Sequence, residues 1–160
     1  MTPEEHIRQL RQSNAEFRQW FDRVLPNLVG AEAVAHFKDS FQNEGFTDQV
    51  LVKWQDVQRR TNPKRVDRAA ASRPILTGAT GDLGRSVDYK AMPGEVTIKG
   101  DTMGAGSDKD YAAAHNEGTT TAGRNRNVTI PKRQFIGKSA VLDKKVKAIT
   151  TRELKKILKG

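Results

Sequence analysis

The chain contains no cysteine, which excludes disulfide bonds, cysteine-based zinc sites and thiol nucleophiles. It has no uninterrupted apolar run near the roughly 20 residues that a membrane-spanning helix requires. Its first residues are acidic and polar, without the apolar stretch of a signal peptide. These absences are consistent with a reducing compartment, and we expect no membrane partner.

Large apolar side chains are scarce. Leu, Ile, Val and Phe together make up about 21% of the 160 residues. This share lies just above the roughly 20% below which a highly charged chain tends towards disorder. A chain of this length forms one domain or at most two small ones. We therefore expect a small core, and either marginal stability or further burial against copies of the same chain.

Acidic residues are scarce in the last third of the chain. The formal net charge of the whole chain is +9. Residues 1–60 carry net −1 and residues 61–110 net +1, whereas residues 111–160 carry 12 basic and three acidic side chains. Localised positive charge favours a polyanionic partner, most often nucleic acid. A solvated lysine-rich helix face is an equally good interpretation.

The N-terminal segment predicts a long helix over residues 3–24. Thr2 supplies an N-cap hydroxyl, Pro3 the first helical position and Glu5 the carboxylate of a capping box. A narrow apolar stripe then recurs at helical spacing, which is typical of a seam against another helix. The stripe consists of Ile7, Leu10, Phe17, Phe21 and Val24. The first four of these residues are candidates for self-association.

Pro26 is expected to end this helix, because proline disfavours helix in the residue before it. A second helix is predicted over residues 31–43, with Gly45 as its C-cap. Phe46 and Trp54 are predicted to cover an edge of the core. Residues 58–73 hold six basic side chains and almost nothing apolar, which predicts an exposed linker or arm.

From Pro74 onward, short alternating stretches replace the helical pattern. Residues 86–91 and 95–100, separated by Met92-Pro93-Gly94, predict a β-hairpin. Residues 102–109 are predicted to form a loop and residues 111–115 a strand. A long polar loop is then expected over residues 117–127, followed by a short strand, residues 128–130, that ends at Pro131.

The closing segment predicts an amphipathic helix that begins near Ser139. Its apolar residues span an arc of about 140° at 100° per residue, and they are Leu142, Val146, Ile149, Leu154 and Ile157. The opposite side carries Lys144, Arg152, Lys155 and Lys159. Helices, a small antiparallel sheet and a closing helix in this order predict an α+β fold. We expect one domain, divided into a helical region (1–57), the basic linker (58–73) and an α+β region (74–160).

Residues 77–84 match the G-x-x-G-x-x-G form of some nucleotide-binding reductases. Only a two-residue apolar stub, Ile75-Leu76, precedes the glycines, and no βαβ unit follows them. We therefore interpret Gly78 and Gly81 as turn formers, with Asp82 as the cap of a short helix over residues 83–87. A reductase fragment that binds NAD(P) is the enzymatic alternative.

Other catalytic patterns are incomplete. His115-Asn116-Glu117 satisfies the H-x-E half of a zinc deaminase site, but the cysteine pair of that site is absent. The three histidines are scattered along the chain, and no serine lies in a nucleophile elbow. We therefore expect no enzymatic activity, no metal site and no cofactor.

Basic residues flank the stretch Val128–Pro131 and form the candidate surface for DNA or a protein partner. Polar, basic residues in a glycine-bearing loop suit contact with phosphate groups without reading of bases. Phe135 is the one aromatic residue nearby, so a stacking platform for single strands is not expected. A solvated loop that a neighbouring subunit orders is an equally good interpretation. The candidates are Arg124, Arg126, Lys132, Arg133 and Lys138.

Several segments, in this order, resemble the virion-morphogenesis (tail-completion) proteins of Mu-like and related tailed phages. They are residues 37–46 with Trp54, residues 73–78 with 81–86, residues 111–118 and residues 130–137. The resemblance does not include the helix over residues 3–24. It implies a non-enzymatic α+β protein that completes the tail or joins tail to head, as an oligomeric ring at the neck or tail end of the virion.

The partners that follow from this resemblance are copies of the chain itself and neighbouring head–tail connector and tail proteins. Packaged DNA is a further expected partner, through backbone contacts. The expected locations are the virion and, during assembly, the host cytoplasm. A protein that binds nucleic acid without sequence specificity, through its basic last third, is the alternative function.

Six residues within these segments are interpreted as scaffold. Gly118 ends the predicted strand where the chain turns, and Pro131 cannot donate to a strand ladder. Phe135 is predicted to insert beneath the closing helix together with Ile136. The polar loop between the late segments is then the functional surface. The scaffold set is Leu76, Gly78, Leu83, Gly118, Pro131 and Phe135.

Overall fold

The computed structural model describes residues 2–62, 71–78, 80–100 and 111–157. Long helices near both ends and antiparallel hairpins between them confirm the α+β class. Within these ranges, no helix combines the length and the apolar character that crossing a membrane requires. The loop predicted over residues 102–109 and the middle of the basic segment 58–73 lie outside the described residues.

Helix α1 (Pro3–Gln19) begins with the predicted capping box. The backbone N–H of Glu5 donates to the Thr2 hydroxyl at 3.2 Å, and the backbone N–H of Thr2 donates to the Glu5 carboxylate at 2.6 Å. A π-helical turn (Trp20–Val24) and helix α2 (Leu25–Asn43) follow directly.

The prediction that Pro26 ends the first helix is therefore wrong. Pro26 lies in the first turn of α2, next to the π-helical turn. Proline is tolerated in the first turn of a helix, where its missing N–H would have no partner within the helix. The π-helical turn lies between α1 and the first turn of α2. The two helices thus join without an intervening loop, and α2 begins earlier than predicted.

Glu44, and not Gly45, is the C-cap of α2. Its backbone is left-handed (φ 47°), and its carboxylate accepts hydrogen bonds from the Arg60 guanidinium at 2.5 and 2.9 Å. Gly45 instead begins strand β1 (Gly45–Thr47), where an added Cβ would lie 2.5 Å from the carbonyl oxygen of Val52. Glycine is therefore required there by the close approach of the neighbouring strand, and not by the helix end.

Strand β1 pairs antiparallel with β2 (Leu51–Lys53), and a short helix α3 (Gln58–Thr61) follows. Arg59 and Arg60 donate to backbone carbonyls of residues 71–74. The described ends of the predicted basic arm are therefore bonded to each other and to Glu44. Arg59 and Arg60 are partly buried by these hydrogen bonds, whereas Gln58, Thr61 and Arg73 are exposed.

The predicted hairpin is confirmed. After helix α4 (Asp82–Ser86), strand β3 (Val87–Met92) pairs antiparallel with β4 (Glu95–Gly100) around a Pro93-Gly94 turn. Helix α2 packs across both strands. At Gly30 of α2 an added Cβ would lie 2.2 Å from the Tyr89 ring, so a glycine lets helix and strand approach closely.

Residues 111–122 differ from the prediction. Tyr111–Glu117 form helix α5 and not a strand, and Thr119–Ala122 form strand β5 within the predicted polar loop. Strand β5 pairs antiparallel with β6 (Val128–Ile130). Three consecutive alanines favour helix, and three consecutive threonines favour strand. The prediction of a strand over residues 111–115 and of a loop over residues 117–127 is therefore wrong for these two segments.

The closing helix α6 (Ala140–Ile157) begins directly after Ser139, as predicted. The Ser139 hydroxyl accepts from the backbone N–H of Leu142 at 3.1 Å, and the Asp48 carboxylate accepts from that of Ala140 at 2.8 Å. Helix α6 packs along α2. Its predicted apolar arc is half-buried, whereas the opposite basic residues within the described range are exposed.

The core lies between α2, the strands and the segments near residues 75 and 135. Phe135 is almost fully buried, with its ring centroid 5.1 Å from that of Phe41. The Trp54 indole N–H donates to the carbonyl of Gln134 at 2.8 Å. Phe46 is buried as predicted, and Leu142 of α6 packs against the same cluster. Aromatic rings therefore supply much of the volume that the scarce aliphatic side chains do not.

Candidate functional site

The apolar stripe that begins on α1 is exposed to solvent in the structure. No residue of α1 is buried, and Ile7 and Leu10 keep 50% and 57% of their surface accessible. Phe17 and Phe21 are each about 40% exposed, with their ring centroids 6.3 Å apart. We call these four residues the α1 face. In the described part of the chain all four side chains keep at least 40% of their surface accessible.

The α1 face is anchored at its C-terminal end. Trp20, in the π-helical turn, is buried and lies 6.0 Å from the Phe17 ring. Phe21 lies against the turn of the β3–β4 hairpin, where an added Cβ on Gly94 would be 3.2 Å from its ring. The side of α1 that carries Gln12 lines a cleft together with Ile157 of α6. Phe17 also belongs to the lining of this cleft, whereas Ile7 and Leu10 do not.

The basic candidates occupy separate surfaces. Arg124 and Arg126 are exposed in the turn between β5 and β6, which we call the basic hairpin tip. Lys132 and Lys138 are exposed and line another cleft, together with Lys53. The structure thus brings two of the predicted residues together at the tip and two others at the cleft.

Arg133 is buried, with 6% of its surface exposed. Its guanidinium donates to the backbone carbonyls of Gln55 at 3.2 Å and Asp56 at 3.4 Å. Its own backbone N–H donates to the carbonyl of His115 at 2.8 Å. Burial, with repulsion from Arg59, lowers the pKa of the Arg133 guanidinium. Its assignment to the surface for DNA or a partner is therefore wrong, because the side chain joins two loops inside the protein.

His115 lies beside Arg133 and is also buried. Burial, and then the Arg133 charge, lower the pKa of its imidazole, which favours the neutral ring at pH 7. Its Nδ1 has no hydrogen-bond partner among the described residues, and the Tyr111 ring packs at 4.3 Å. Across the described ranges, no three His, Asp or Glu side chains are grouped so that they could hold a metal ion.

The glycine-rich segment forms turns. Gly78 and Gly81 have φ of 55° and 70°, and Gly81 is the N-cap of the five-residue α4. The prediction that Asp82 caps this helix is wrong, because its carboxylate instead accepts from the Thr80 hydroxyl and the Arg85 guanidinium. The residues before Gly78 form turns and not the buried strand that a dinucleotide site requires.

The scaffold candidates lie at structural positions. Leu76 and Leu83 belong to the core, as does Phe135. Gly118 has φ of 76°, and an added Cβ would lie 2.8 Å from the backbone nitrogen of Lys132. It follows helix α5 and not a strand, so it ends a different element from the one predicted. Pro131 follows the last residue of β6.

Strand β2 was missed in the sequence. Val50, Leu51 and Val52 form a short apolar run, which would ordinarily indicate a buried strand. In the structure they are 70%, 41% and 63% exposed. A cleft of about 370 Å³ lies beside β2, and its apolar lining comes from Phe46, Val52 and Trp54. We call this site the β2 cleft.

The model of the phage virion morphogenesis family matches residues 13–155, from the second half of α1 to the last turns of α6. No curated protein and no solved structure matches the chain.

Proposed function

The chain belongs to the phage virion morphogenesis family, and on that premise we propose that it completes the tail, or joins tail to head, as a ring of identical copies. Membership of the family gives the protein a structural or assembly role in the phage virion. Tail completion, the position at the neck or tail end, the ring and the absence of catalysis are parts of this proposal.

The exposed α1 face is the observation that supports the ring. Two aromatic and two aliphatic side chains, each about half accessible, lie along one side of α1 and of the π-helical turn that follows it. Contiguous apolar surface of this kind marks a contact with another protein, because burial contributes about 25 cal/mol per Å² of apolar area. A closed ring covers the same face in every copy and leaves no unpaired end.

A matched pair of variants on α1 tests the proposal. Leu10→Glu places a charge in the α1 face, whereas Ala15→Glu adds the same charge at an exposed position on another side of the helix. Phage assembled with the Leu10→Glu protein should yield separate heads and tails in electron micrographs. Phage assembled with the Ala15→Glu protein should yield joined particles. A virion reconstruction with a single isolated copy, whose α1 face is surrounded by solvent, would contradict the ring.

Binding of duplex DNA without sequence specificity is the second candidate, and the basic hairpin tip favours it. Arg124 and Arg126 are exposed, and no acidic residue lies between them in the turn. Each phosphate contact contributes about 0.9 to the slope of log affinity against log salt concentration. Replacing both arginines with alanine should therefore reduce that slope by nearly 2 in a duplex titration. An unchanged slope would remove this candidate.

A further inference from the structure

Strand β2 leaves one hydrogen-bonding edge open. The Trp54 N–H donates to the carbonyl of Glu44 at 2.8 Å, two residues along the ladder from the Phe46–Val52 pair. Hydrogen-bonded pairs recur at every second residue of an antiparallel ladder, so Phe46–Val52 is one of them. Leu51 and Lys53 therefore direct their backbone N–H and C=O groups away from β1. In the described part of the chain, no third strand pairs with that edge.

The β2 cleft adjoins the strand and provides a place for a side chain. Its lining includes Phe46 and Trp54, which are buried, and Val52, which is exposed. When a strand is added to a sheet edge, its alternate side chains point to one face. A cleft of about 370 Å³ is large enough for one aliphatic or aromatic side chain of such a strand.

The rim of the β2 cleft is positively charged. Lys53, Lys132 and Lys138 line it, with Asp48 as the acidic residue in the lining. The Asp48 carboxylate already accepts the N–H of Ala140 at the start of α6. Within the described ranges, Lys138 has no ion-pair partner, and Lys132 reaches Glu117 at 3.7 Å. The rim therefore favours an acidic partner.

We propose that the β2 cleft binds an extended, acidic segment of a different protein, which pairs with β2 as a third strand. An open strand edge selects an extended chain, the cleft selects an apolar side chain, and the lysines select acidic neighbours. A second copy is a poorer source, because the chain carries net charge +9 and the rim of the cleft favours an acidic partner. This binding goes beyond the proposed ring and does not depend on the α1 face.

A synthetic peptide tests the proposal on the full-length protein. The probe is an octapeptide of alternating valine and glutamate, labelled with fluorescein at its N-terminus and amidated at its C-terminus, and it is titrated by fluorescence anisotropy. We expect Lys138→Glu to weaken binding about tenfold, because it reverses a rim charge. Lys147→Glu, the same change on an exposed position of α6, should leave the affinity within about twofold. Val52→Glu changes a mostly exposed side chain, so it should fold and should also weaken binding.

Backbone pairing is tested separately from charge. Two further versions of the peptide carry N-methyl groups, one on its valines and the other on its glutamates. The N–H groups of alternate residues point to opposite sides of a strand, so one of the two versions loses the hydrogen bonds to β2 and should bind at least about tenfold more weakly. Binding of both versions as tight as that of the unmethylated peptide would overturn strand addition. If Lys138→Glu and Lys147→Glu changed the affinity for the peptide equally, the peptide would not be bound at the β2 cleft. Displacement of the peptide by duplex DNA, or loss of self-association in the Lys138→Glu protein, would show a different occupant and also overturn the proposal.

Discussion

At the scale of single residues, the Glu44–Arg60 pair joins the end of α2 to the segment near residue 75. Hydrogen bonds from Arg60, together with the Ile75 N–H, lower the pKa of Glu44 from 4.5 to about 2. A carboxylate with a lowered pKa stabilises the fold above pH 4.5, and this stabilisation is lost as the pH falls towards 2. The side chains are about a quarter exposed, so solvent screening reduces the contribution to about 1 kcal/mol.

Glu44→Gln should therefore lower the free energy of unfolding by about 1 kcal/mol at pH 7. It should also flatten the loss of stability between pH 5 and pH 2, because the titrating carboxylate is gone. Urea unfolding at a series of pH values measures both effects. Glu4→Gln, at an exposed position on α1, is the control and should change neither. A variant curve parallel to that of the unmodified protein would show that Glu44 does not contribute this pH dependence.

Gly118 and Gly78 differ in what surrounds them, although both have positive φ. Gly118→Ala would place a Cβ 2.8 Å from the backbone nitrogen of Lys132, whereas nothing lies within 4 Å of a Cβ at Gly78. We expect Gly118→Ala to cost about 2–3 kcal/mol, from the left-handed backbone and the clash, and Gly78→Ala about 1 kcal/mol, from the backbone alone. Thermal unfolding compares them, and equal losses would contradict the contact with Lys132.

At the scale of elements, α6 is held to α2 through one side. Lys145 of α6 forms an ion pair with Glu32 of α2 at 2.9 Å, and Leu142 packs against the core. No residue of α6 is fully buried. The helix is therefore attached by partial burial of several side chains, so a single substitution in its apolar arc removes part of the attachment.

Ile149→Asp should destabilise the protein by about 1–3 kcal/mol, because it places a charge at a half-buried position of α6. Lys155→Asp, on the exposed side, should change the stability by less than about 0.5 kcal/mol. Chemical denaturation followed by circular dichroism measures the difference. If the two variants lost equal stability, the apolar arc would not be the side that packs.

At the scale of the whole molecule, the charge distribution opposes association. The last third of the chain carries net +9, and in the proposed ring these positive regions would lie near one another. Added salt shortens the screening distance from about 10 Å at 0.1 M to about 3 Å at 1 M. Sedimentation velocity should therefore show stronger self-association in 0.5 M than in 0.05 M sodium chloride. Dissociation at the higher salt concentration would show that ion pairs, and not apolar contacts, hold the copies together.

Local signals in the sequence determined the elements whose partners lie close along the chain. The Thr2–Glu5 capping box and the hairpin at Pro93-Gly94 depend on residues within a few positions, and the structure contains both. The start of α6 after Ser139 was also predicted, although the distant Asp48 carboxylate adds a second cap there. The order of the motifs also indicated the family that the comparison shows. The exposure of the apolar stripe on α1 could be suspected from its narrow spacing alone.

Only the tertiary structure decided which basic and apolar residues are accessible. Arg133 is buried because carbonyls of Gln55 and Asp56, nearly 80 positions earlier, accept its hydrogen bonds. Val52 is 63% exposed because no described segment packs over its side chain, although the apolar run that contains it suggests burial. Charge and hydropathy are properties of a residue, whereas accessibility depends on contacts between distant segments. The β2 cleft, formed by β2 and the segment near residue 134, was therefore not predictable from the sequence.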